Sequence, residues 1–336
     1  MTAASDKADS PQELPASATS KDLTAAFDEL ARYLNLPCTV VFVFDGPLKS
    51  DLKSDPAAAF THTKVLDHYK KLIRLFGFDI VEAAGEADAD LGRMSRYGLI
   101  NGVLSDDPDV FLFGAKTVIR PATAVLDGEE IQTYRAINLR RKQGLDSVQL
   151  IFLALLLGGD HNTVGLASCE LEDAIALSRS ELAYQLHSLT KAGDTAEYLR
   201  RKDQFRARLR NELLHNTSGF LRRALPNVAD TIPPSFPDMD THRLLAQPTV
   251  TNLSTLQSLR RTWCARLPDV LLLSRFCAEY FSWSLTTTIA KFQEGLISGV
   301  CMRRMLIKVR VYMSYLYETE LAQLRKCMNT QERMSS

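Results

Sequence analysis

Apolar residues begin to recur at helical spacing just after Ser20, a residue type that often caps a helix. The predicted helical face is formed by Leu23, Phe27, Leu30, Ala31 and Leu34. Residues 1–20 are instead rich in Ser, Ala, Asp and Pro and contain no Arg and no apolar block. That composition is typical of a disordered tail and fits neither a secretory signal nor an arginine-rich transit peptide. Organised structure is therefore predicted to begin at Lys21.

Strand and helix patterns alternate over the next part of the chain. Residues 39–44 are all β-branched or aromatic and show no polar alternation, as expected for a strand that is covered on both faces. The elements predicted after it are a helical stretch up to Gly77, a strand at 78–81, a helix at about 86–97, a strand at 102–104 and a strand at 110–113. This alternation predicts an α/β domain with a mostly parallel sheet.

The rest of the chain has helical patterns that one proline-rich segment interrupts. The elements predicted there are a hairpin near Asp127-Gly128, helices at 148–157, 171–178 and about 194–214, and further helices from about Leu253 to the end. Five of the 13 prolines lie between Pro226 and Pro248, which predicts a linker over residues 226–250. The aromatic residues expected to anchor the C-terminal core are Trp263, Phe276, Phe281, Trp283 and Phe292.

Carboxylates follow three of the predicted strands and one predicted helix. The set comprises Asp45 after Phe44; Glu82, Glu86, Asp88 and Asp90 after Val81; Asp106, Asp107 and Asp109 after Leu104; and Asp160 after Gly158-Gly159. Ligand sites of open α/β sheets gather outside the carboxyl ends of the strands, so these side chains are expected to converge.

Converging carboxylates repel one another unless cations neutralise them. Ligand sets made of carboxylate oxygens select magnesium or manganese over zinc. Two such ions about 4 Å apart can activate a water and stabilise the leaving oxygen of a phosphodiester. The pattern therefore predicts a divalent-metal site for phosphodiester hydrolysis.

Each carboxylate taken singly has a structural explanation. Asp45 before Gly-Pro is typical of a turn, Glu86 with Asp88 favours a helix N-terminus, and Asp160 after two glycines is placed to cap the next element. The order of all of them, each after a strand or helix, favours the metal site. A second interpretation, a haloacid-dehalogenase phosphatase, needs a nucleophilic aspartate where this chain has Val43, and it fails on that chemistry.

Composition narrows the choice of partners. Forty basic residues balance forty acidic ones, so affinity for a polyanion has to come from local patches and bound cations.

The six cysteines form no CxxC pair and have no zinc-type spacing with the six histidines, which favours reduced, buried thiols. No apolar run approaches the roughly 20 residues of a membrane span. A soluble, intracellular protein without a membrane partner is expected.

Four motifs carry a resemblance to a known family. They are Val43-Phe-Asp-Gly-Pro47, Glu82-Ala-Ala-Gly-Glu-Ala-Asp88, Leu104-Ser-Asp-Asp-Pro-Asp-Val-Phe-Leu-Phe-Gly114 and Leu157-Gly-Gly-Asp160. In this order and spacing they resemble the flap endonuclease/XPG nucleases, most of all fungal XPG-like proteins related to Holliday-junction resolvases. The similarity covers roughly residues 22–190, and segments 216–220 and 234–238 extend it.

The resemblance implies an α/β fold with a PIN-like, mostly parallel sheet flanked by helices and followed by a largely helical C-terminal region. It divides the chain into a tail (1–20), a nuclease domain (21–190) with a helix-two-turn-helix element at about 158–178, and a helical region (191–336). It implies cleavage of branched or flapped DNA with two Mg²⁺ ions, or Mn²⁺ in their place. The metal ligands that it implies, direct or through water, are Asp45, Glu86, Asp88, Asp107, Asp109 and Asp160.

The chain departs from the family pattern in several places. Residues 1–20 lack the strand and catalytic aspartate with which the family begins, and Asp88 stands where Glu is usual. Gly165 fits the helix-two-turn-helix loop, but Ser168 and Glu170 replace glycines, and Glu170 would repel a phosphate. The residues expected to bind nucleic acid are Gly165 and the lysines of a reduced basic arch, Lys49, Lys53 and Lys64.

Three interpretations follow from the sequence: a magnesium-dependent structure-specific DNA endonuclease of DNA repair, a catalytically impaired relative that binds nucleic acid or a protein, and a truncated gene product. Protein partners are not indicated, and nuclear residence follows from the substrate class alone. Two further basic clusters are more typical of solvated helix faces than of binding sites. They are Arg200, Arg201, Lys202, Arg206, Arg208 and Arg210, and Arg303, Arg304, Lys308 and Arg310.

Overall fold

The computed structural model describes residues 16–48, 56–120, 131–158, 165–192 and 195–334. Within these ranges the helix ends 16–21, 56–64 and 316–334 are described by their backbone alone. In this part of the chain no helix is long and apolar enough to cross a membrane.

Fourteen α-helices and five short strands are present in the described residues. The helices are α1 (Ala16–Leu34), α2 (Pro56–Leu75), α3 (Ala87–Arg96), α4 (Ala136–Gln143), α5 (Ser147–Leu157), α6 (Leu171–Ser178), α7 (Leu182–Ser188), α8 (Thr195–His215), α9 (Pro226–Asp230), α10 (Met239–Ala246), α11 (Leu253–Thr262), α12 (Val270–Phe281), α13 (Leu285–Gly295) and α14 (Ile297–Met334). The strands are β1 (Val41–Phe44), β2 (Asp79–Glu82), β3 (Val103–Leu104), β4 (Thr117–Arg120) and β5 (Gln132–Arg135). Two 3₁₀ helices cover Pro108–Phe111 and Leu189–Lys191. The predicted mixed α/β class is confirmed.

The chain forms two compact units, each assembled from separate segments. Unit 1 comprises Met1–Phe42, Lys53–Val81 and Thr262–Ser336, and unit 2 comprises Val43–Leu52 and Glu82–Arg261. The sequence-based boundary at residue 190 stays a prediction, because compact units joined from distant segments do not by themselves define folding domains.

An aromatic cluster forms the core of unit 1. Phe27 of α1 lies with its ring centroid 5.1 Å from that of Phe76, 5.3 Å from that of Trp283 and 5.9 Å from that of Phe292. Burial of rings of this size supplies much of the apolar area that a helical unit removes from water. The C-terminal aromatic residues therefore anchor the core as the sequence predicts.

Unit 2 combines a small sheet with a helical core. β3 and β4 are parallel, with Val103 opposite Val118, and β4 and β5 are antiparallel. The helical core is built mainly from α5, α6, α7 and α8, and Phe152 packs edge-on against Phe205 with a centroid distance of 5.9 Å. The strands that flank the predicted hairpin are thus paired, while Asp127-Gly128 lies outside the described residues.

Three expectations about elements need correction. The first helix begins at Ala16, so Ser20 lies inside it and is not its cap. The predicted strand at 110–113 is wrong, because Pro108 starts a 3₁₀ helix there and the Asp107 side chain caps it. The supposed linker at 226–250 contains α9 and α10, and its Val228 and Phe236 side chains are buried in the core of unit 2.

Candidate metal centre and nucleic-acid interface

Asp45 is held by a close approach of two loops in unit 2. The N–H of Gly46 donates to the carbonyl of Gly85 at 2.7 Å, and the N–H of Ala83 donates to the carbonyl of Phe44 at 2.9 Å. A Cβ atom on Gly46 would overlap the carbonyl oxygen of Ala83, so only glycine fits at that position. Backbone contacts therefore fix the turn after β1.

The N-terminus of α3 supplies two more acidic groups. Glu86 is the N-cap residue and Asp88 lies in the first turn, where carboxylates are favoured by the helix dipole. The N–H of Ala87 donates to Oδ1 of Asp45 at 2.8 Å, which draws the Asp45 carboxylate to this helix end. The predicted helix at 86–97 is thereby confirmed, and its first turn meets the turn after β1.

Asp107 and Asp109 come from the turn that follows β3. Oδ1 of Asp107 accepts a hydrogen bond from the N–H of Asp109 at 2.8 Å, and the N–H of Asp107 donates to Oγ of Ser105 at 3.1 Å. Gly92 lets α3 approach this segment, since a Cβ there would lie 2.5 Å from Cβ of Phe113. Close packing of α3 on the segment after β3 thus brings the two acidic groups together.

The neighbouring negative charges change the pKa of Asp88. Burial, followed by the negative charges of Asp107, Asp45, Glu86 and Asp109 in that order, raises the pKa of this carboxyl from 3.8 to about 6. Five of the six predicted carboxylates therefore lie in one field, although they come from three separate segments. Such repulsion is the condition that a bound cation relieves.

The described carboxylates have the donor chemistry for a divalent metal ion but not the spacing of a closed site. The donors are all oxygens, as magnesium requires. Among the described residues, however, no three His, Cys, Asp or Glu side chains lie close enough to enclose one ion. Magnesium usually keeps several water molecules and takes only one or two carboxylates from the protein. The described carboxylates suit a largely hydrated ion better than a closed protein cage.

Several predicted site residues cannot be placed. Asp160, Lys49 and Lys53 lie outside the described residues, and the Lys64 side chain is likewise not described. Their roles as metal ligand and nucleic-acid contacts stay predictions.

The loop between α5 and α6 needs glycine at some of the positions where the family pattern has it. A Cβ on Gly165 would overlap the backbone of Leu157, and the N–H of Leu166 donates to the carbonyl of Leu156 at 2.8 Å. Ser168 has a φ of 60°, a conformation that favours glycine, whereas Glu170 has an ordinary φ of −78°. Of Ser168 and Glu170, only Ser168 therefore has a backbone conformation that favours glycine.

The two basic clusters anticipated from sequence are largely engaged within the protein. Lys202 is buried and its Nζ donates to the carbonyl of Ser235 at 2.9 Å, while Arg210 pairs with Asp230 at 2.6 Å. Arg206 pairs with Asp203 at 3.4 Å. Arg303 is buried in unit 1. These contacts favour structural roles for much of both clusters.

Sequence reasoning missed one residue that supports the site. Thr251 hydrogen-bonds to Asp90 and to the N–H of Ala84, on either side of Glu86 and Asp88. It lies directly after the proline-rich segment 226–250 that the sequence assigns as a linker, and no local pattern marks it.

The chain is similar to known nucleases in sequence. A profile of the XPG I-region matches residues 77–160. Flap endonuclease GEN homolog 1 of Homo sapiens is 29% identical over 169 residues, which cover 45% of this chain and 19% of that protein. DNA repair protein rad13 of Schizosaccharomyces pombe is 33% identical over 121 residues, or 36% of this chain and 11% of that protein. The chain thus matches a fifth or less of the length of these two relatives.

Solved structures extend the likeness to most of the fold. The Holliday junction-resolving enzyme GEN1, in complex with product DNA and Mg²⁺, has a TM-score of 0.66 and 27% identity, covering 84% of this chain and 66% of that one. The catalytic core of Rad2 with a DNA substrate has a TM-score of 0.57 at 21% identity, covering 82% and 86%, and supports the fold alone. The resemblance read from the motifs is confirmed: this chain is similar to the flap endonuclease/XPG nucleases in sequence and in fold, and the XPG I-region profile matches its residues 77–160.

Proposed function

We propose that this chain is a magnesium-dependent, structure-specific DNA endonuclease that hydrolyses phosphodiesters in branched or flapped DNA during DNA repair. The observation that carries the proposal is the convergence of three acidic segments: Asp45 accepts from the first turn of α3, and Asp107 and Asp109 act electrostatically on Asp88 in that turn. Similarity to nucleases whose solved structures contain DNA and Mg²⁺ or Mn²⁺ supports the substrate class and the metal.

Within this proposal the residues have distinct tasks. Asp88, Asp107 and Asp109 bind hydrated divalent ions, and two such ions is the number that the chemistry suggests. Asp45 accepts from the Ala87 N–H, so it links the turn after β1 to the first turn of α3 while it contributes charge. When bound, the metal supplies an activated water and stabilises the leaving oxygen.

A cleavage assay tests the proposal directly. The full chain is incubated with a 5′ flap and with a four-way junction in Mg²⁺, beside the variants Asp107→Ala and Asp106→Ala. Asp106 is a matched control because it is the adjacent carboxylate, is exposed and lies 3.6 Å from Arg120 across an ion pair. We expect Asp107→Ala to lose at least about 100-fold in rate, since even outer-shell partners of metal ligands are worth roughly 10–100-fold. Asp106→Ala should stay within a few-fold of wild type.

Two outcomes would contradict the proposal. One is the absence of cleavage by folded wild-type protein in both Mg²⁺ and Mn²⁺. The other is equal cleavage by wild type and Asp107→Ala, which would assign the activity to a contaminant.

A second candidate function is a catalytically impaired relative that binds branched DNA without cutting it. The observation in its favour is that no three potential ligands among the described residues enclose an ion. Binding of a four-way junction with an affinity that EDTA does not change, together with absent cleavage, would identify this function. Nuclear residence follows from either DNA-binding function and is part of the proposal; imaging of a fluorescent fusion would check it.

A further inference from the structure

Helix α4 of unit 2 has no buried side chain. Arg140, Arg141 and Lys142 are exposed, and all four residues of the preceding strand β5 are exposed as well. Helices of globular proteins are mostly stabilised by packing an apolar face, which α4 does not do. The helix is therefore a surface element whose side chains are free to meet a partner.

The charge on this element has one sign. Arg135, Arg140, Arg141 and Lys142, which we call the α4 basic surface, lie in a stretch, residues 131–145, that contains no Asp or Glu. None of the four side chains makes an ion pair or hydrogen bond to another residue in the described part of the chain. The surface thus concentrates positive charge that no carboxylate of the described residues pairs with, in a protein whose net charge is zero.

The end of α4 is fixed to the helix-two-turn-helix element. Arg179, directly after α6, donates from Nε to the carbonyl of Gln143 at 2.6 Å and from Nη2 to Oε1 of Gln143 at 3.0 Å. Gly144 ends α4 in a left-handed conformation with a φ of 67°. The basic surface is therefore fixed to the C-terminal end of α6.

The nearest acidic group on the following helix is already engaged. Asp146 caps α5 by accepting from the N–H groups of Val148 and Gln149, at 3.0 and 3.1 Å. Its Oδ2 accepts from the Tyr184 hydroxyl at 2.8 Å. Asp146 thus has three donors of its own and forms no ion pair with α4.

Cations in the last turn of a helix also stabilise the helix dipole, which gives α4 a structural reason for some positive charge. That effect is small for each cation and does not require three adjacent cations, which repel one another. Helix α8 shows the contrasting arrangement, because Arg201, Arg206 and Arg210 each pair with a carboxylate. Among the described residues α4 has no such partner, and we take its exposed cations to meet a ligand outside the protein.

We propose that the α4 basic surface binds the phosphate backbone of a duplex arm of the DNA substrate. From Arg135 to Lys142 the surface extends roughly 10 Å along the helix axis. Duplex DNA presents about six phosphate charges over that length. The proposal rests on the proposed DNA-cleaving function and names the residues that hold one arm.

Fluorescence anisotropy with a labelled four-way junction in EDTA measures binding without cleavage. The test variant is Arg140→Gln/Arg141→Gln/Lys142→Gln, because Gln keeps helix propensity and α4 buries none of the three side chains. The matched control is Arg201→Gln/Arg206→Gln/Arg210→Gln on α8, which removes the same charge. A third variant, Arg140→Lys/Arg141→Lys, retains the charge.

We expect the α4 triple variant to weaken junction binding by about 10-fold or more, with an unchanged melting temperature. The slope of log Kd against log salt should fall by about 0.9 for each phosphate contact that is lost. The α8 control and the lysine variant should bind within about threefold of wild type. Unchanged affinity and slope in the α4 variant would overturn the proposal, and an acidic protein would then be the expected partner of this surface. Equal weakening by the α8 control would also overturn it.

These outcomes separate the two proposals. A wild-type chain that binds the junction through α4 but does not cut it contradicts the endonuclease proposal and leaves the α4 proposal intact. If the wild-type chain cuts the junction while the α4 variant binds as well as wild type, the α4 proposal is contradicted and the endonuclease proposal stays intact. A wild-type chain that neither binds nor cuts overturns both.

Discussion

Asp90, buried in α3, accepts hydrogen bonds from both the backbone N–H and the hydroxyl group of Thr251, which lies 161 residues further along the chain. The N–H distance is 2.8 Å. The same hydroxyl oxygen accepts from the N–H of Ala84 at 3.0 Å. Thr251 therefore fixes both ends of the segment that carries Glu86 and Asp88, although it contributes no charge to the site.

Thr251→Val should lower both stability and cleavage. The change leaves the Asp90 Oδ2 atom and the Ala84 N–H without their partner, which costs about 1–3 kcal/mol for buried groups. Thr251→Ser keeps the hydroxyl and should retain most of the stability and rate. Chemical denaturation and single-turnover cleavage on a four-way junction check both variants. Equal behaviour of Val and Ser would show that the hydroxyl bonds are not needed.

Asp88→Asn should stabilise the metal-free protein while it removes activity. The raised pKa of Asp88 means that its charged form is disfavoured in the folded state at neutral pH, so an uncharged amide relieves repulsion. We expect a melting temperature in EDTA that is higher by about 1–2 °C, the change that about 1 kcal/mol produces in a chain of 336 residues. Cleavage should be abolished.

Asp90→Asn is the control for that experiment, because it changes a carboxylate two positions away on the same helix. The amide would place two hydrogens where Asp90 accepts bonds from Thr251, so stability should fall. If both substitutions shifted the melting temperature in the same direction, the idea that Asp88 is repelled by its neighbours while Asp90 is stabilised by hydrogen bonds would be wrong.

The sequence allows these carboxylates to be placed because each lies at one end of a locally recognisable element. Asp45 comes after an apolar run, and Glu86 precedes a helix with acidic residues in its first turn. The apolar run Val110–Phe113 misleads, because burial there is achieved by a 3₁₀ helix and a turn that Pro108 and the Asp107 cap begin. Thr251 is beyond prediction, since its role depends on a contact across 161 residues.

Arg303 should behave as a core residue of unit 1 and not as a nucleic-acid contact. It is 2% exposed, and its guanidinium donates to the carbonyls of Cys38 and Tyr33 at 2.8 and 3.0 Å and lies over the ring of Phe78. Arg303→Ala leaves two carbonyls unpaired and a cavity, so we expect a loss of about 3 kcal/mol or more.

Its exposed neighbour supplies the control. Arg304→Ala removes the same charge from the surface of α14 and should change the free energy of unfolding by less than about 0.5 kcal/mol. Denaturant titration of both variants makes the comparison. Similar stabilities would mean that the Arg303 contacts contribute little.

His242 should make unit 2 less stable as the solution becomes acidic. The ring is fully buried, Nδ1 lies 3.1 Å from the hydroxyl oxygen of Tyr198, and Nε2 has no partner among the described residues. Burial, followed by the charges of His187 and Arg243, lowers the pKa of His242 to about 4 from an ordinary value of 6.5. The unfolded chain therefore binds a proton between pH 6.5 and pH 4 that the folded chain does not.

The sign of the His242 contribution follows from this difference. Its stabilising effect is complete above about pH 6.5 and is lost as the pH falls towards 4. Asp88 acts in the opposite direction, because its raised pKa lets the folded state gain a proton below about pH 6. The wild-type profile contains both effects, so His242→Gln, which cannot titrate, has to be compared with wild type at each pH. We expect the stability lost between pH 7 and pH 4.5 to be smaller in His242→Gln by about 1–3 kcal/mol, measured by urea unfolding. Parallel profiles for the two proteins would show that His242 titrates normally in the folded state.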